Sequence, residues 1–303
     1  MPATPPKPRS SVRLPGRIGG SAAVLALLLS LASCSSEEPE PEFLGTPRIT
    51  VATHNDLPGM SYSENYDRSG LDFLVFQHVK EELDPVPFTE PVDVASGGRV
   101  TQLREEKADM VIASFSITAE RMKLIDFVGP YVKTRQGFLV GPDSADVQRL
   151  SDLSGTRICT WEGTTSKEAL DDIKNTVHAE PVVLTDASDC MKQLLDHEVQ
   201  AVSTDQTILY GFAQQYEDDG LRVVPDVTVG VPQDYGIGLP KGHRKDCRKL
   251  KDWLKEYVGT STWTRDVETS LPALTAADTA WISKHKPSDP EIEARSCRDS
   301  ISP

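Results

Sequence analysis

Residues 114–132 read SFSITAERMKLIDFVGPYV. The segment follows an apolar run, ADMVIA, and together residues 108–116 predict a strand. Ser114 and Ser116 are two apart, so at strand spacing their side chains share one side and Phe115 points to the other. Thr118 stands where it can cap a helix opening at AERMK. Hydroxyls, free amides at a helix start and the cation of Arg121 then converge, which suits a carboxylate: arginine offers two parallel donors and a helix start favours negative charge. A capped helix with a surface arginine in an ion pair fits this stretch equally well. The Gly-Pro-Tyr that follows reads as a turn leading into a further strand.

Working outward, strand and helix patterns alternate. Strands are expected at 48–53, 156–161, 181–185 and 199–205, and near LRVVPD and YGIGLP. Helices are expected at 71–83, 98–107, 165–174, 187–197 and 206–216. Another, at 247–258, gathers Leu250, Trp253, Leu254, Tyr257 and Val258 on one face. This alternation predicts an α/β protein with largely parallel sheets. Pro/Gly breaks near 139–143 and 230–236 frame the middle of the chain. They suggest a first lobe over 48–139, an inserted second lobe over 140–233, a return over 234–285 and a polar tail over 286–303. Ser114, Trp161 and Asp205 all fall at carboxyl ends of strands, where open α/β sheets bind ligands. A cleft between lobes would bring them together.

The front end is a separate matter. Four basic residues and no acid precede the apolar run AAVLALLLSLAS at 22–33, which leads directly to Cys34. This is the pattern of a secretory signal peptide over 1–33. The stretch LASC resembles a bacterial lipobox, which implies cleavage before Cys34 and lipid on that residue, tying the chain to a membrane surface. Residues 35–47, SSEEPEPEFLGTP, hold little to bury, so 34–47 are expected to be a disordered tether. Of 32 Lys and Arg, four leave with the leader, so 28 remain against 46 acids, a formal −18. That argues against nucleic acid, which needs a basic face. Four further cysteines, Cys159, Cys190, Cys247 and Cys297, suit two disulfides outside the cell. Their placement, two mid-chain and two in the last part, suggests Cys159–Cys190 and Cys247–Cys297. No C-x-x-C is present, so no zinc, other metal or cofactor is expected.

Five motifs, in order, resemble the extracellular amino-acid-binding proteins of ABC importers, the polar amino-acid group called family three. They are GLDFLVFQHVKEEL, ADMVIASFSITAERMKLIDFVGPYV, CTWEGTTSKEAL, VQAVSTDQTIL and YGIGLPKG. The resemblance implies a two-lobed, type II periplasmic-binding-protein fold that closes on a polar amino acid, as a monomer, and delivers it to permease subunits at the outer face of the membrane. It also implies roles. Arg121 would clamp the α-carboxylate with help from Ser116, and Ser114 would meet the α-amino group through its carbonyl. Thr165 would reach the carboxylate from lobe two, and Asp205 would pair with the ammonium. A buried zwitterion needs one fixed cation and one fixed anion, which agrees. Asp205 serves equally well as a cap for the helix after it.

The side-chain pocket is read from His54 and Trp161. Relatives with a basic residue in the loop after the first strand favour acidic ligands, and here that place holds His54, able to donate as a neutral ring. The same histidine is also an ordinary loop residue. Trp161 would form an aromatic wall, or would pack in the core. Residues 58–60, PGM, resemble relatives that bind glutamate, so the expected ligand is acidic or an amide. A sensor lipoprotein of the same fold, docking on a signalling partner, is the main alternative. A cyclohexadienyl-dehydratase-like enzyme is a further one. It would need a cleft acid beyond those holding ligand, and Glu162 alone lies near. No H-E-x-x-H, G-x-S-x-G or phosphate-loop motif is present, and no enzymatic activity is expected.

Overall fold

The computed structural model describes Glu42, residues 47–144 and residues 146–300. The leader, Cys34 and most of the tether therefore lie outside the described residues, within which no helix is long and apolar enough to cross a membrane.

Twelve strands are formed among the described residues. They are β1 (Val51–Thr53), β2 (Asp56–Leu57), β3 (Ser61–Glu64), β4 (Asp67–Ser69), β5 (Val92–Asp93) and β6 (Met110–Val111), followed by β7 (Asp126–Val140), β8 (Arg157–Trp161), β9 (Glu180–Leu184), β10 (Ala201–Asp205), β11 (Arg222–Val223) and β12 (Val229–Leu239). One sheet runs β5-β1-β6-β12-β7-β10-β8-β9, with β11 also on β7; β2, β3 and β4 form a separate small sheet. β1 pairs parallel with β5 and β6, the centre of lobe one. β8 pairs parallel with β9 and β10, the centre of lobe two. Between these halves stand two long antiparallel strands. The first part of β7 pairs with β12, and its last part pairs with β10. The chain crosses between lobes along β7 and β12, and the expected boundaries at 139/140 and 233/234 fall within them. The sheet is thus mixed, because the two crossing strands run against their neighbours.

Helices cover the faces as the apolar spacing requires. In the helix Leu71–Glu82, Leu71, Val75, Phe76 and Val79 are buried. In Arg244–Gly259, Leu250, Leu254, Tyr257 and Val258 are buried, with Cys247 one turn earlier on the same face. Burying each such side chain contributes about 1.5–3 kcal/mol.

Two local expectations differ. The strand expected over 108–116 forms only at Met110–Val111, with a single further bridge from Ser116 to Tyr235, and Ser114 takes a left-handed φ of 44°. The alternation that would put both serine side chains on one side is broken there. Residues 127–132 do not turn: they lie within β7, with a cis Gly129–Pro130 bond. Gly129 is needed for close strand approach, since a Cβ there would stand 2.8 Å from the Gly236 Cα.

The polar tail also folds. The helix Asp289–Arg295 buries Ile292 completely. Its Glu291 meets Lys133 at 2.9 Å and its Arg295 meets Asp234 at 3.1 Å. Lys133 and Asp234 are cross-strand partners in β7 and β12, so the tail braces the crossing between lobes. The cysteines pair as Cys159–Cys190, joining β8 to the helix Ala187–Leu195, and as Cys247–Cys297, fixing the tail to lobe one.

Candidate ligand site

Six strand ends, turns and segments converge between the lobes. Lobe one supplies His54 after β1, Ser96 and Arg99 at a turn entering the helix Arg99–Arg104, and the segment 112–121 after β6. Lobe two supplies Trp161 at the end of β8, the turn 162–164, and Asp205 at the end of β10. They enclose a small polar cavity of about 10 Å³. A groove of about 1360 Å³ adjoins it at Thr165 and runs along the crossing strands and the tail. Size favours the groove, but chemistry favours the cavity. Six of the charged groups in the groove are paired with one another, as Lys133–Glu291, Asp234–Arg295 and Lys284–Asp278. Those of the cavity are not.

Arg99 lines the cavity, and Arg121 stands beside it. Arg99 is 3% exposed. Its Nε donates to the Ser96 carbonyl, Nη1 to the Ala113 and Ser114 carbonyls, and Nη2 to the Gly163 carbonyl, all at 2.8–2.9 Å. Arg121 donates from Nη1 to the Ser116 carbonyl and from Nη2 to the same Gly163 carbonyl, each at 2.8 Å. Every one of these acceptors is a neutral backbone oxygen. Burial lowers both guanidinium groups, and the neighbouring Arg121 charge adds to the effect on Arg99, which is pulled down to about 9. Both remain cations at neutral pH.

Asp205 faces them from lobe two. It occupies the N-cap position of the helix Gln206–Gln215, but its side chain makes no capping bond. Instead Oδ2 accepts from the Tyr235 hydroxyl at 2.5 Å, and Oδ1 is buried without a partner. Burial raises its carboxyl to about 6, held back by Tyr235 and by the two arginines. A buried carboxylate oxygen with no donor is costly unless something supplies one.

The other expected residues are placed as follows. Ser114 turns its hydroxyl and amide to Asp72, at 2.9 and 2.8 Å, leaving only its carbonyl toward the arginines. Ser116 is buried and likewise contributes its carbonyl to Arg121. Thr118 caps the helix Ala119–Leu124 by accepting from the Arg121 amide. Thr165 bonds Gln233 and Gln136 on the crossing strands, while Thr164 caps the helix that follows. Trp161 donates across the cleft from Nε1 to the Ser96 hydroxyl at 3.3 Å. His54 is buried, and burial together with the Arg99 charge lowers it to about 3, so it is a neutral imidazole.

Sequence reasoning missed Arg99, Ser96, Asp72 and Tyr235. For Arg99 the one available signal is the Gly97-Gly98 pair directly before it, which lets the chain turn sharply into the helix. Nothing local tells that arginine from Arg104 on the same helix.

The profile of the bacterial extracellular solute-binding proteins, family 3, matches residues 49–269. The chain belongs to that family. It is 30% identical over 263 residues to the glutamate-binding protein GluB of Corynebacterium glutamicum, covering 82% of this chain and 88% of that protein. It is 33% identical over 264 residues to GluB of Corynebacterium efficiens, covering 83% and 88%. Among solved structures, an ancestral arginine-binding protein bound to arginine superposes with a TM-score of 0.67 at 24% identity, covering 74% of this chain and 98% of that one. That last likeness concerns the fold. The family and these relatives are binding proteins rather than enzymes, and their fold is the two-lobed type II arrangement described above.

Proposed function

We propose that this family 3 protein is a lipid-anchored, extracellular receptor for an acidic amino acid, closing its lobes on the ligand and passing it to an ABC permease. One observation carries the ligand class. The cavity is lined by buried Arg99, with half-buried Arg121 beside it on the same Gly163 carbonyl; neither is hydrogen-bonded to a carboxylate, and Asp205 opposite them has an open oxygen. A zwitterion would use one arginine and Asp205. The second arginine calls for a second carboxylate, which glutamate and aspartate have. The names of the GluB relatives support the same choice.

In this reading Arg121 holds the α-carboxylate beside the helix Ala119–Leu124, and Asp205 receives the ammonium. Arg99, with neutral His54 and Ser96 around it, holds the side-chain carboxylate, and Trp161 walls the side chain from lobe two. The cavity as it stands is smaller than any amino acid, so the lobes must part to admit one. Closure is then selected because only the closed form brings Asp205 and the arginines to one ligand.

Thermal denaturation with each of the twenty amino acids tests this, since a ligand that binds only the folded state raises the melting temperature. Glutamate and aspartate are expected to give the largest shifts, with the amides behind them. An arginine or lysine shift above that of glutamate would reject the ligand class. For the anchor, Cys34→Ser is expected to move the protein from the membrane fraction to the medium; retention equal to wild type would reject lipidation at that residue.

A further inference from the structure

The two arginines share more than a cavity. Their guanidinium carbons lie 4.6 and 5.0 Å from the centre of one ring, that of buried Phe115. Such placement over an aromatic face is attractive for cations. Both also donate to one oxygen, the Gly163 carbonyl of lobe two. Gly163 has φ +75°, and a Cβ on it would meet the Gly97 Cα and N at 2.4 Å and the Ser96 carbonyl carbon at 2.7 Å. Backbone thus docks on backbone across the mouth of the cleft, a contact that only glycine permits.

We infer that Gly163 is the closing contact of the lobes: its bare backbone seats on Gly97 while its carbonyl is gripped by the same two guanidinium groups that hold the ligand. Phe115 keeps those groups side by side, so that lobe two engages them together. Closure is thereby read at the ligand clamp itself. Gly163 is a positioning residue and touches no ligand in this scheme, which rests on the amino-acid-binding reading above.

Another glycine makes the test specific. Gly155 has the same φ of +75° with nothing near its would-be Cβ, so Gly155→Ala reports the strain of a left-handed alanine alone. With L-glutamate, Gly163→Ala is expected to bind roughly tenfold more weakly or worse, because apparent affinity falls with the fraction able to close. Small-angle scattering should show it failing to compact on adding glutamate. Gly155→Ala should bind within about twofold of wild type and compact normally. Gly163→Ala that binds and compacts like Gly155→Ala overturns the inference and leaves the ligand reading intact. If wild type binds none of the twenty amino acids, that reading falls. Amide hydrogen exchange over residues 96–99 of the ligand-free chain then decides: faster exchange in Gly163→Ala than in Gly155→Ala supports the contact, and equal exchange overturns it.

Discussion

Arg99→Gln is expected to weaken glutamate binding by on the order of 2–5 kcal/mol, the usual loss when one partner of a buried, hydrogen-bonded charge pair is removed. Glutamine keeps some donors for the carbonyls around it but not the charge. The loss should therefore depend on the ligand: large for glutamate and aspartate, small for glutamine and asparagine, which carry no side-chain charge to strand. Arg121→Ala is the contrasting case. If it holds the α-carboxylate, common to all amino acids, it should lower affinity for every ligand by a similar amount. Calorimetric titration of both variants with glutamate and glutamine separates the roles. An Arg99→Gln variant that loses glutamate and glutamine equally would remove Arg99 from the side-chain subsite.

Asp205→Asn is expected to act with opposite signs on binding and on folding. Burial raises the Asp205 carboxyl from 3.8 to about 6. An acid whose folded value is raised binds its proton more tightly in the folded state. Its ionisation therefore destabilises the ligand-free fold above pH 6, by on the order of 3 kcal/mol, and that cost disappears as the pH falls below 3.8. Asparagine keeps an acceptor for Tyr235 without the charge. The ligand-free variant should thus unfold at a higher temperature than wild type at pH 7.5, with the gap closing toward pH 4. Binding should fall by on the order of 2–5 kcal/mol, because the ligand ammonium loses its counter-charge. In wild type, affinity should fall as the pH drops through about 6, where the carboxylate of the free protein takes up a proton; in Asp205→Asn this dependence should vanish. Melting curves and titrations between pH 4.5 and 8 measure both, on the order of one pH unit apart being sufficient spacing for a single titrating group. Unchanged affinity in Asp205→Asn would leave the residue with no role beyond its bond to Tyr235.

Local pattern was enough for much of this protein. The 3.6-residue spacing of apolar side chains in Leu71–Glu82 and Arg244–Gly259 can be satisfied only by a helix lying on a core, so those helices were legible from residue spacing alone. Runs such as RICTW and AVSTD, bounded by Gly, Thr or Asp, were legible as buried strands for the same reason. The five ordered motifs carried the family, and with it Arg121 and Asp205. Local signals failed where neighbours far along the chain decide conformation. Ser114 reads as a strand residue, yet Asp72 draws its amide and hydroxyl into a left-handed turn. Gly129-Pro130 reads as a turn, yet close approach of Gly236 keeps it in a strand. Residues 286–303 read as a polar tail, yet Glu291 and Arg295 within them are matched by Lys133 and Asp234 on the crossing strands.

The sequence by itself thus determined the alternating α/β build and the family, and it offered one cation and one anion of the candidate site, because each is written in short-range periodicity or in a contiguous motif. Only the tertiary structure decided that Asp205 leaves its oxygen free rather than capping a helix, that Arg99 joins Arg121 in the cleft, and that Gly163 meets them both. Arg99 and Gly163 are 64 residues apart and come from different lobes. Neither carries a local mark of the other, since their meeting depends on how two sheet halves cross along β7 and β12, and that geometry is set by pairings between residues distant in the chain.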